Sequence, residues 1–237
     1  MKKVLITGST QGIGYAIAKK LVEENYYVII HCSKDLEKAR RIQKEIGASG
    51  AVVCDLGNVN ETLKLRDKTG DVDCLILNAS MQTKNQWLDV SVEELEKQLD
   101  VNVKSTFLLI QKYFPSMKEK GFGRVITIGS TNQYRRHAEL PIYSATKCAV
   151  FSLVQNIAKQ SARYNVTVNN VSPGAISTPR NDDVLKDDDK KKAIESIIPA
   201  GRFGESEEVA NVVSMLIKEE NSYITGADIV IDGGLRL

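Results

Sequence analysis

An α/β domain, built on a parallel sheet of about seven strands doubly wound with helices on both faces, is predicted by three features of the sequence. Apolar runs of strand length alternate with runs of helical periodicity along the whole chain. Most apolar runs stop at Gly, Ser, Asn or Asp, residues that let a strand pass into a loop. No linker, low-complexity tract or internal repeat interrupts residues 1–237, so a single domain is expected.

Val4-Leu5-Ile6 is short and apolar and stops at Thr7-Gly8, as a buried parallel strand does. Gly8-Ser-Thr-Gln-Gly12-Ile-Gly14 follows, then a helical pattern with Ile13, Ile17 and Leu21 on one face. Glycines at a strand-to-helix turn let backbone approach a phosphate, and the helix N-terminus adds free N–H groups and a positive dipole end. The spacing is G-x-x-x-G-x-G rather than G-x-G-x-x-G, and no Gly-Lys-Ser/Thr ending marks a nucleoside-triphosphate loop. Its place after the first strand points to a dinucleotide cofactor.

Tyr27–Ile30 reads as the second strand and ends at His31-Cys32-Ser33-Lys34. A ribose-binding acid is expected near that end when the cofactor is NAD. Cys32 stands in its place. Lys34 is either a partner for the 2′-phosphate of NADP or a solvated loop lysine, and Asp35 is placed to cap the next helix. NADP(H) is favoured over NAD(H).

Ala51–Cys54 is the third strand, followed by Asp55-Leu56 and a polar helix from Asn58 to Lys68. Asp73–Leu77 is the fourth and ends at Asn78-Ala79-Ser80. Ser91 and Glu94 make an S-x-x-E capping box. The helix it opens is predicted to pack through Leu95, Leu99, Val103, Phe107 and Ile110 and to end near Pro115. Arg124–Ile128 is the fifth strand, running into Gly129-Ser130. Tyr143 to Ala162 is free of Gly and Pro and rich in helix formers. Val166-Thr-Val168 opens a sixth strand that leads to Ser172-Pro173-Gly174. Residues 175–204 are the longest irregular stretch, expected to be a mobile substrate lid. Their Asp187-Asp-Asp189 run lacks metal-ligand spacing and reads as a solvated loop. A helix from Glu205 to Ile217 and a strand, Ile229–Ile231, complete the series.

Within the long helix, Tyr143 and Lys147 are four residues apart and share a face. An ammonium about 4 Å from a phenolate, at an effective dielectric of about 20, stabilises it by roughly 4 kcal/mol. That draws the phenol's pKa towards neutrality, where it can give a proton to a carbonyl oxygen or take one from an alcohol.

Composition excludes several other classes. Lys and Arg number 32 against 30 for Asp and Glu, so nucleic-acid binding has no electrostatic footprint. The apolar run after Met1-Lys-Lys is too short for a signal peptide, and no run reaches membrane-span length. Four cysteines without CxxC spacing and two histidines suggest neither a zinc site nor a disulfide framework. A cytoplasmic protein without metal, membrane or nucleic-acid partners is expected.

Thr7-Gly-Ser-Thr-Gln-Gly-Ile-Gly14, Asn78-Ala79, Asn102, Ser130, Tyr143-x-x-x-Lys147 and Pro173-Gly174 with Thr178 form an ordered set. In order and spacing this set resembles the motif series of the short-chain dehydrogenase/reductase family, from residue 4 to the end of the chain. The resemblance implies a Rossmann-like fold and NAD(P)(H)-dependent interconversion of a ketone and a secondary alcohol. It implies Tyr143 as general acid/base and Lys147 as the cation that lowers its pKa and binds the nicotinamide ribose. It further implies Ser130 as the holder of the substrate oxygen, and Asn102 as a helix interruption that holds a proton-relaying water. Gly8, Gly12, Ile13 and Gly14 would line the pyrophosphate, Ser33 and Lys34 the 2′-phosphate, and Asp55 and Leu56 the adenine. A turn or cap role is the lesser alternative for Asp55. Asn78 and Ala79 would meet the adenosine ribose, and Pro173, Gly174, Ile176 and Thr178 the nicotinamide.

Three departures stand out. Leu77-Asn78-Ala79-Ser80 replaces the family's Asn-Asn-Ala-Gly, Gln11 stands where NADP enzymes often carry a basic residue, and residues 131–142 are bulky and charged. The motifs are closest to 3-oxoacyl-[acyl-carrier-protein] reductases and sugar or polyol dehydrogenases. Lys118, Lys120, Arg124 and Arg163 are candidates for meeting a carrier protein at the cleft rim. Asn132, Gln133, Arg135 and Arg136 are candidates for holding a hydroxylated or acidic small molecule. A small polar carbonyl or sugar is the favoured substrate, and an acyl thioester the alternative. A catalytically silent NADP-binding sensor is the reading from another class. Apolar or small residues nearly all round the Tyr143 helix, with the family's habit, imply a homotetramer.

Overall fold

The computed structural model describes all residues from 1 to 237. Seven strands, β1 (Lys3–Ile6), β2 (Tyr27–Cys32), β3 (Gly50–Val53), β4 (Cys74–Leu77), β5 (Gly123–Ile128), β6 (Val166–Pro173) and β7 (Asp228–Ile231), build it from within. They form one all-parallel sheet in the order β3-β2-β1-β4-β5-β6-β7. The chain reverses its direction of travel across the sheet between β1 and β4, which opens a crevice beyond the strands' carboxyl ends.

Successive strand residues face opposite sides, and both sides are covered, so the strands are apolar throughout. Val4, Ile6, Val28 and Ile30 pack on one face with Ile17 and Leu21 of α1 (Gly12–Glu23). Leu5, Ile29, Leu75 and Val125 pack on the other.

Local caps set where the next helices begin. Asp35 accepts the Lys38 N–H at 2.8 Å to open α2 (Leu36–Ile46), and Asn58 accepts from Asn60 and Glu61 at 3.0 and 3.2 Å to open α3 (Val59–Thr69). The Ser91–Glu94 capping box opens α4 (Val92–Leu99). α5 (Ser105–Lys120) and α6 (Pro141–Ser161) lie over the second face with α3, contributing Leu109, Tyr113, Met117 and Val154 to its core. α7 (Asp182–Leu185) and α8 (Asp188–Ile197) follow β6, and α9 (Ser206–Ile217) packs beside α1 on the first face through Val209 and Val213.

Three expectations are corrected. The helix opened by Ser91 does not run straight: residues Asp100–Lys104 form a wide turn of π type between α4 and α5. Asn102, a poor helix former between two β-branched valines, sits at its centre. The extra residue shifts the phase of the pattern, so a stripe read at constant spacing drifts off the packed face. Gln98, Asn102 and Ile110 are buried, whereas Leu99 and Phe107 are each 41% exposed. Nor does the helix end near Pro115. It continues to Lys120, because the hydrogen bond proline forfeits would have gone to the carbonyl of Gln111, an exposed residue on the solvent side.

Residues 175–204, finally, are not irregular. They hold α7 and α8, the second opened by Asp187 accepting the Lys190 N–H at 3.1 Å. The segment's two ends are tied by a parallel bridge between Ile176 and Gly204.

Candidate active site

A cleft of about 1,390 Å³ lies across the carboxyl ends of the strands. Its floor is the turn from β1 into α1. Gly8 adopts a left-handed φ of 63°, and a Cβ on Gly14 would stand 2.4 Å from the Gly8 carbonyl oxygen, so neither position accepts another residue without strain. The first turn of α1 presents the N–H groups of Gly12, Ile13 and Gly14, which have no intrahelical acceptor. Asn78 braces this turn: its amide donates to the Thr7 and Gly8 carbonyls at 3.0 and 2.9 Å. Both amide protons are thus committed inside the chain. The Thr7 hydroxyl, in turn, accepts the N–H groups of Asn78 and Ala79 at 3.0 and 3.1 Å.

Sequence reading missed a second brace, His31. Its ring is buried at the end of β2, with Nδ1 accepting the Gly8 N–H at 3.0 Å and Nε2 donating to the Cys54 carbonyl at 2.9 Å. Burial pushes its pKa down to about 4, so the ring is neutral at pH 7, as an acceptor at Nδ1 requires. An unfolded chain takes up this proton from about pH 6.5 downwards, whereas the folded one resists until about pH 4. Stability therefore falls as pH drops through that window, by about 3 kcal/mol for this group at its lower end. Urea midpoints measured at pH 7 and pH 4.5 should fall less for His31→Asn than for the wild type.

At the end of the cleft beyond β2, Lys34 and Asp55 meet. Lys34 Nζ lies 3.3 Å from Asp55, whose other oxygen accepts the Gly57 N–H at 3.0 Å. Asp55 is therefore a turn residue as well as a lining residue, with Leu56 buried beside it. Ser33 and Lys34 are exposed at the cleft edge. A further cation stands here: Lys38 of α2 reaches across to Gln11 Oε1 at 2.8 Å and brings positive charge to the position where Gln11 itself has none.

At the centre of the cleft, Tyr143 and Lys147 are each 5% exposed and rise from the first turns of α6. Lys147 Nζ donates to the Ile128 carbonyl at 2.7 Å and lies 5.4 Å from the Tyr143 ring centre. Burial of the phenol works to raise its pKa. The charges of Lys147 and Arg180 and hydrogen bonding by the Ser130 and Ser80 hydroxyls outweigh it, and the net shift is downward. Lys147 is also shifted down, by burial first and by Arg180, against the opposing pull of Tyr143. Ser130 follows β5 directly, and its hydroxyl accepts the Asn132 N–H at 3.2 Å. Behind it, Asp228 of β7 accepts hydrogen bonds from Gln133, Tyr134, Asn170 and Ser172 and so fixes the Ser130 loop to the sheet.

Asn102 does not contact this group. Its amide nitrogen donates to the Met81 carbonyl at 2.9 Å and to Thr146 Oγ1 at 3.0 Å, and its oxygen accepts the Met81 N–H at 2.8 Å. The side chain braces the loop after β4 against α6. Pro173, Gly174, Ile176 and Thr178 line the cleft where β6 ends, and Thr178 stands 3.4 Å from where a Gly12 Cβ would be.

The proposed rim residues separate sharply. Lys118, Lys120, Arg124 and Arg163 are absent from the cleft. Arg124 is the second residue of β5 and the others flank the same end of the sheet, opposite the strands' carboxyl ends. Arg124 is fully buried, its guanidinium 4.3 Å from the Phe122 ring and bonded to the Gly123 and Asn165 carbonyls. Asn132, Arg135 and Arg136 do line the cleft, while Gln133 is turned inward to Asp228. One pair was not foreseen: Arg180 donates to the Ser80 carbonyl and hydroxyl at 2.9 and 3.1 Å. The Asn-Ala-Ser departure thus finds its partner 100 residues away.

The family model described as enoyl-(acyl carrier protein) reductase matches residues 8–236. Dehydrogenase/reductase SDR family member 4 of Bos taurus is 34% identical over 98% of this chain and 86% of its own length. The 3-oxoacyl-[acyl-carrier-protein] reductase FabG of Staphylococcus aureus is 33% identical over 100% of this chain and 98% of its own. Among solved structures, a 3-oxoacyl (acyl-carrier-protein) reductase of Agrobacterium tumefaciens C58 with NADP bound has a TM-score of 0.93 at 33% identity, covering 98% of this chain and 93% of its own. A Beutenbergia cavernae protein assigned as an NAD(P)-dependent gluconate 5-dehydrogenase, with NADP at low occupancy, has a TM-score of 0.91 at 29% identity, covering 99% and 96%.

Proposed function

The chain belongs to the short-chain dehydrogenase/reductase family and is an NAD(P)(H)-dependent oxidoreductase, and from this premise we propose that it interconverts a small polar ketone and its secondary alcohol with Tyr143 as general acid/base. One observation carries the reading: a buried phenol, shifted to lower pKa beside an anchored ammonium, stands in the cleft with the Ser130 hydroxyl next to it. Tyr143 donates its proton to the carbonyl oxygen on reduction and takes it back on oxidation, and Ser130 holds that oxygen in place. Lys147 keeps the phenolate accessible in energy. Asn102 acts on this group through the Met81 loop and α6.

The residues present fit a dinucleotide. The glycine turn leaves no room for side chains over the free N–H groups of α1, which suits a pyrophosphate. A nicotinamide supplies or receives the hydride at the carbonyl carbon. Gly12, Ile13 and Gly14 would hold the phosphates, Leu56 and Asp55 the adenine, and Ile176 and Thr178 the nicotinamide. NADP(H) is the preferred form, because Lys34 and Lys38 flank the end of β2 while the one carboxylate lining the cleft, Asp55, is paired with Lys34. The relatives crystallised with NADP support this choice. Initial rates should show NADPH used with a KM at least about tenfold below that for NADH, about one charge-assisted hydrogen bond in free energy. Lys34→Ala/Lys38→Ala should abolish that preference; an unchanged ratio would refute the assignment.

A second reading, reduction of 3-oxoacyl thioesters, is favoured by full-length similarity to the S. aureus reductase. Oxidation of NADPH by acetoacetyl thioesters, measured beside a panel of keto-sugars, separates the two. A silent sensor is disfavoured because it needs no such group of Ser130, Tyr143 and Lys147. The exposed apolar stripe through Leu99 and Phe107, with exposed Ala145 and Cys148 on α6, supports a homotetramer. The segment over the cleft acts as a lid, held by the Arg180–Ser80 contact and a Lys84–Asp183 ion pair at 3.3 Å.

A further inference from the structure

The charge lining the cleft is far from that of the chain. Overall, 32 basic residues face 30 acidic ones. Eight lysines and arginines line the cleft against a single carboxylate, Asp55, and that one lies at the adenosine end, paired with Lys34. The substrate half therefore carries Lys84, Arg135, Arg136 and Arg180 around Lys147 with no lining carboxylate at all. Of these four, only Lys84 has an acidic partner, Asp183. Clefts lined by one sign of charge concentrate ligands of the other.

Arg180 is the one of these four whose charge reaches Tyr143. It is fixed by Ser80, and its charge is felt by both Tyr143 and Lys147. Only one of its terminal nitrogens is used by these bonds, which leaves the rest of the guanidinium fork free to receive an anion. Two cations beside one buried phenol repel each other unless an anion joins them, and the chain supplies none.

We propose that the substrate is an oxo acid, whose carboxylate is received by Arg180 while its ketone faces Tyr143 and Ser130. The assignment rests on the oxidoreductase reading above and narrows its substrate. In the step itself the carbonyl carbon gains a hydride from NAD(P)H and the oxygen gains the Tyr143 proton, giving a hydroxy acid and NAD(P)+. The carboxylate is unchanged. An arginine suits this role better than a lysine, because its planar fork matches both oxygens of a carboxylate.

The test is NADPH oxidation with 2-oxo and 3-oxo acids and with their ethyl esters, which keep the ketone and lose the charge. Wild-type protein should favour acids over esters in kcat/KM by about thirtyfold, the size of one charge-assisted hydrogen bond. Arg180→Gln should lower kcat/KM about thirtyfold more for the acids than for the esters, any loss common to both reporting the effect of its charge on Tyr143, with Arg180→Lys restoring part of the acid-specific loss. The Kd for NADPH, read by fluorescence, should stay unchanged. Equal losses for acid and ester would place Arg180 with the chemistry of Tyr143 and overturn the proposal, and a weakened NADPH Kd would place it with the cofactor phosphates and overturn it too. Turnover of neutral ketones alone defeats the oxo-acid assignment and leaves the oxidoreductase reading standing; turnover of no carbonyl compound defeats both.

Discussion

Tyr143→Phe is expected to lower turnover at least about a hundredfold while the Kd for NADPH and the melting temperature stay close to those of the parent. General acid/base catalysis by a positioned side chain contributes about 10²- to 10⁴-fold, and only the hydroxyl is removed. The pH profile gives an independent check. Oxidation of an alcohol needs the phenolate, and the phenol's pKa lies below its ordinary value of 10.0. Activity in that direction should therefore rise with pH and level off before pH 10, whereas reduction, which needs the proton, should fall over the same interval. Lys147→Met removes the largest of the opposing charges, so the midpoint should move upward. A turnover for Tyr143→Phe equal to wild type would remove this residue from the mechanism, whatever its surroundings suggest.

Gly14→Ala should be among the most damaging single-carbon changes in the molecule. The added methyl would stand 2.4 Å from the Gly8 oxygen, part of the turn that forms the cleft floor, and 2.5 Å from the Asn78 amide nitrogen that braces it. Backbone must move, at a cost of about 1–3 kcal/mol or more. Because the movement displaces the N–H groups proposed to hold the phosphates, the Kd for NADPH should rise by more than about tenfold, beyond what the lost stability explains. Comparing melting temperatures with and without saturating NADPH separates the two effects. A variant with a parental melting temperature and parental NADPH affinity would show that the turn has slack that these distances deny.

Much of this architecture could be read before any coordinates. Strand ends at Gly8, Asn78, Ser130 and Pro173 fall where short apolar runs meet turn residues, and a parallel sheet gathers those ends on one side. Tyr143 and Lys147 are joined by helical spacing alone. What stayed hidden depends on long-range placement. His31 looks like any strand-end residue until β2 lies beside the glycine turn, and Ser80 looks like a weakened motif until Arg180 comes over it. The rim lysines were misplaced because surface charge has no period that tells one end of a sheet from the other. The stripe through Leu99 and Phe107 was misread because periodicity assumes a constant pitch, and the pitch changes at Asn102.

The wide turn at Asp100–Lys104 behaves like a dislocation in a crystal row, a defect that cannot be healed locally. Exchanging a side chain there leaves the row count intact. Deleting one residue would let the helix regularise, yet it would swivel everything upstream by about 100° and raise it by about 1.5 Å relative to the sheet. Asn102 would then lose Met81, and the loop roofing the cleft would lose its anchor. Sequence length in this stretch is accordingly under tighter constraint than sequence identity.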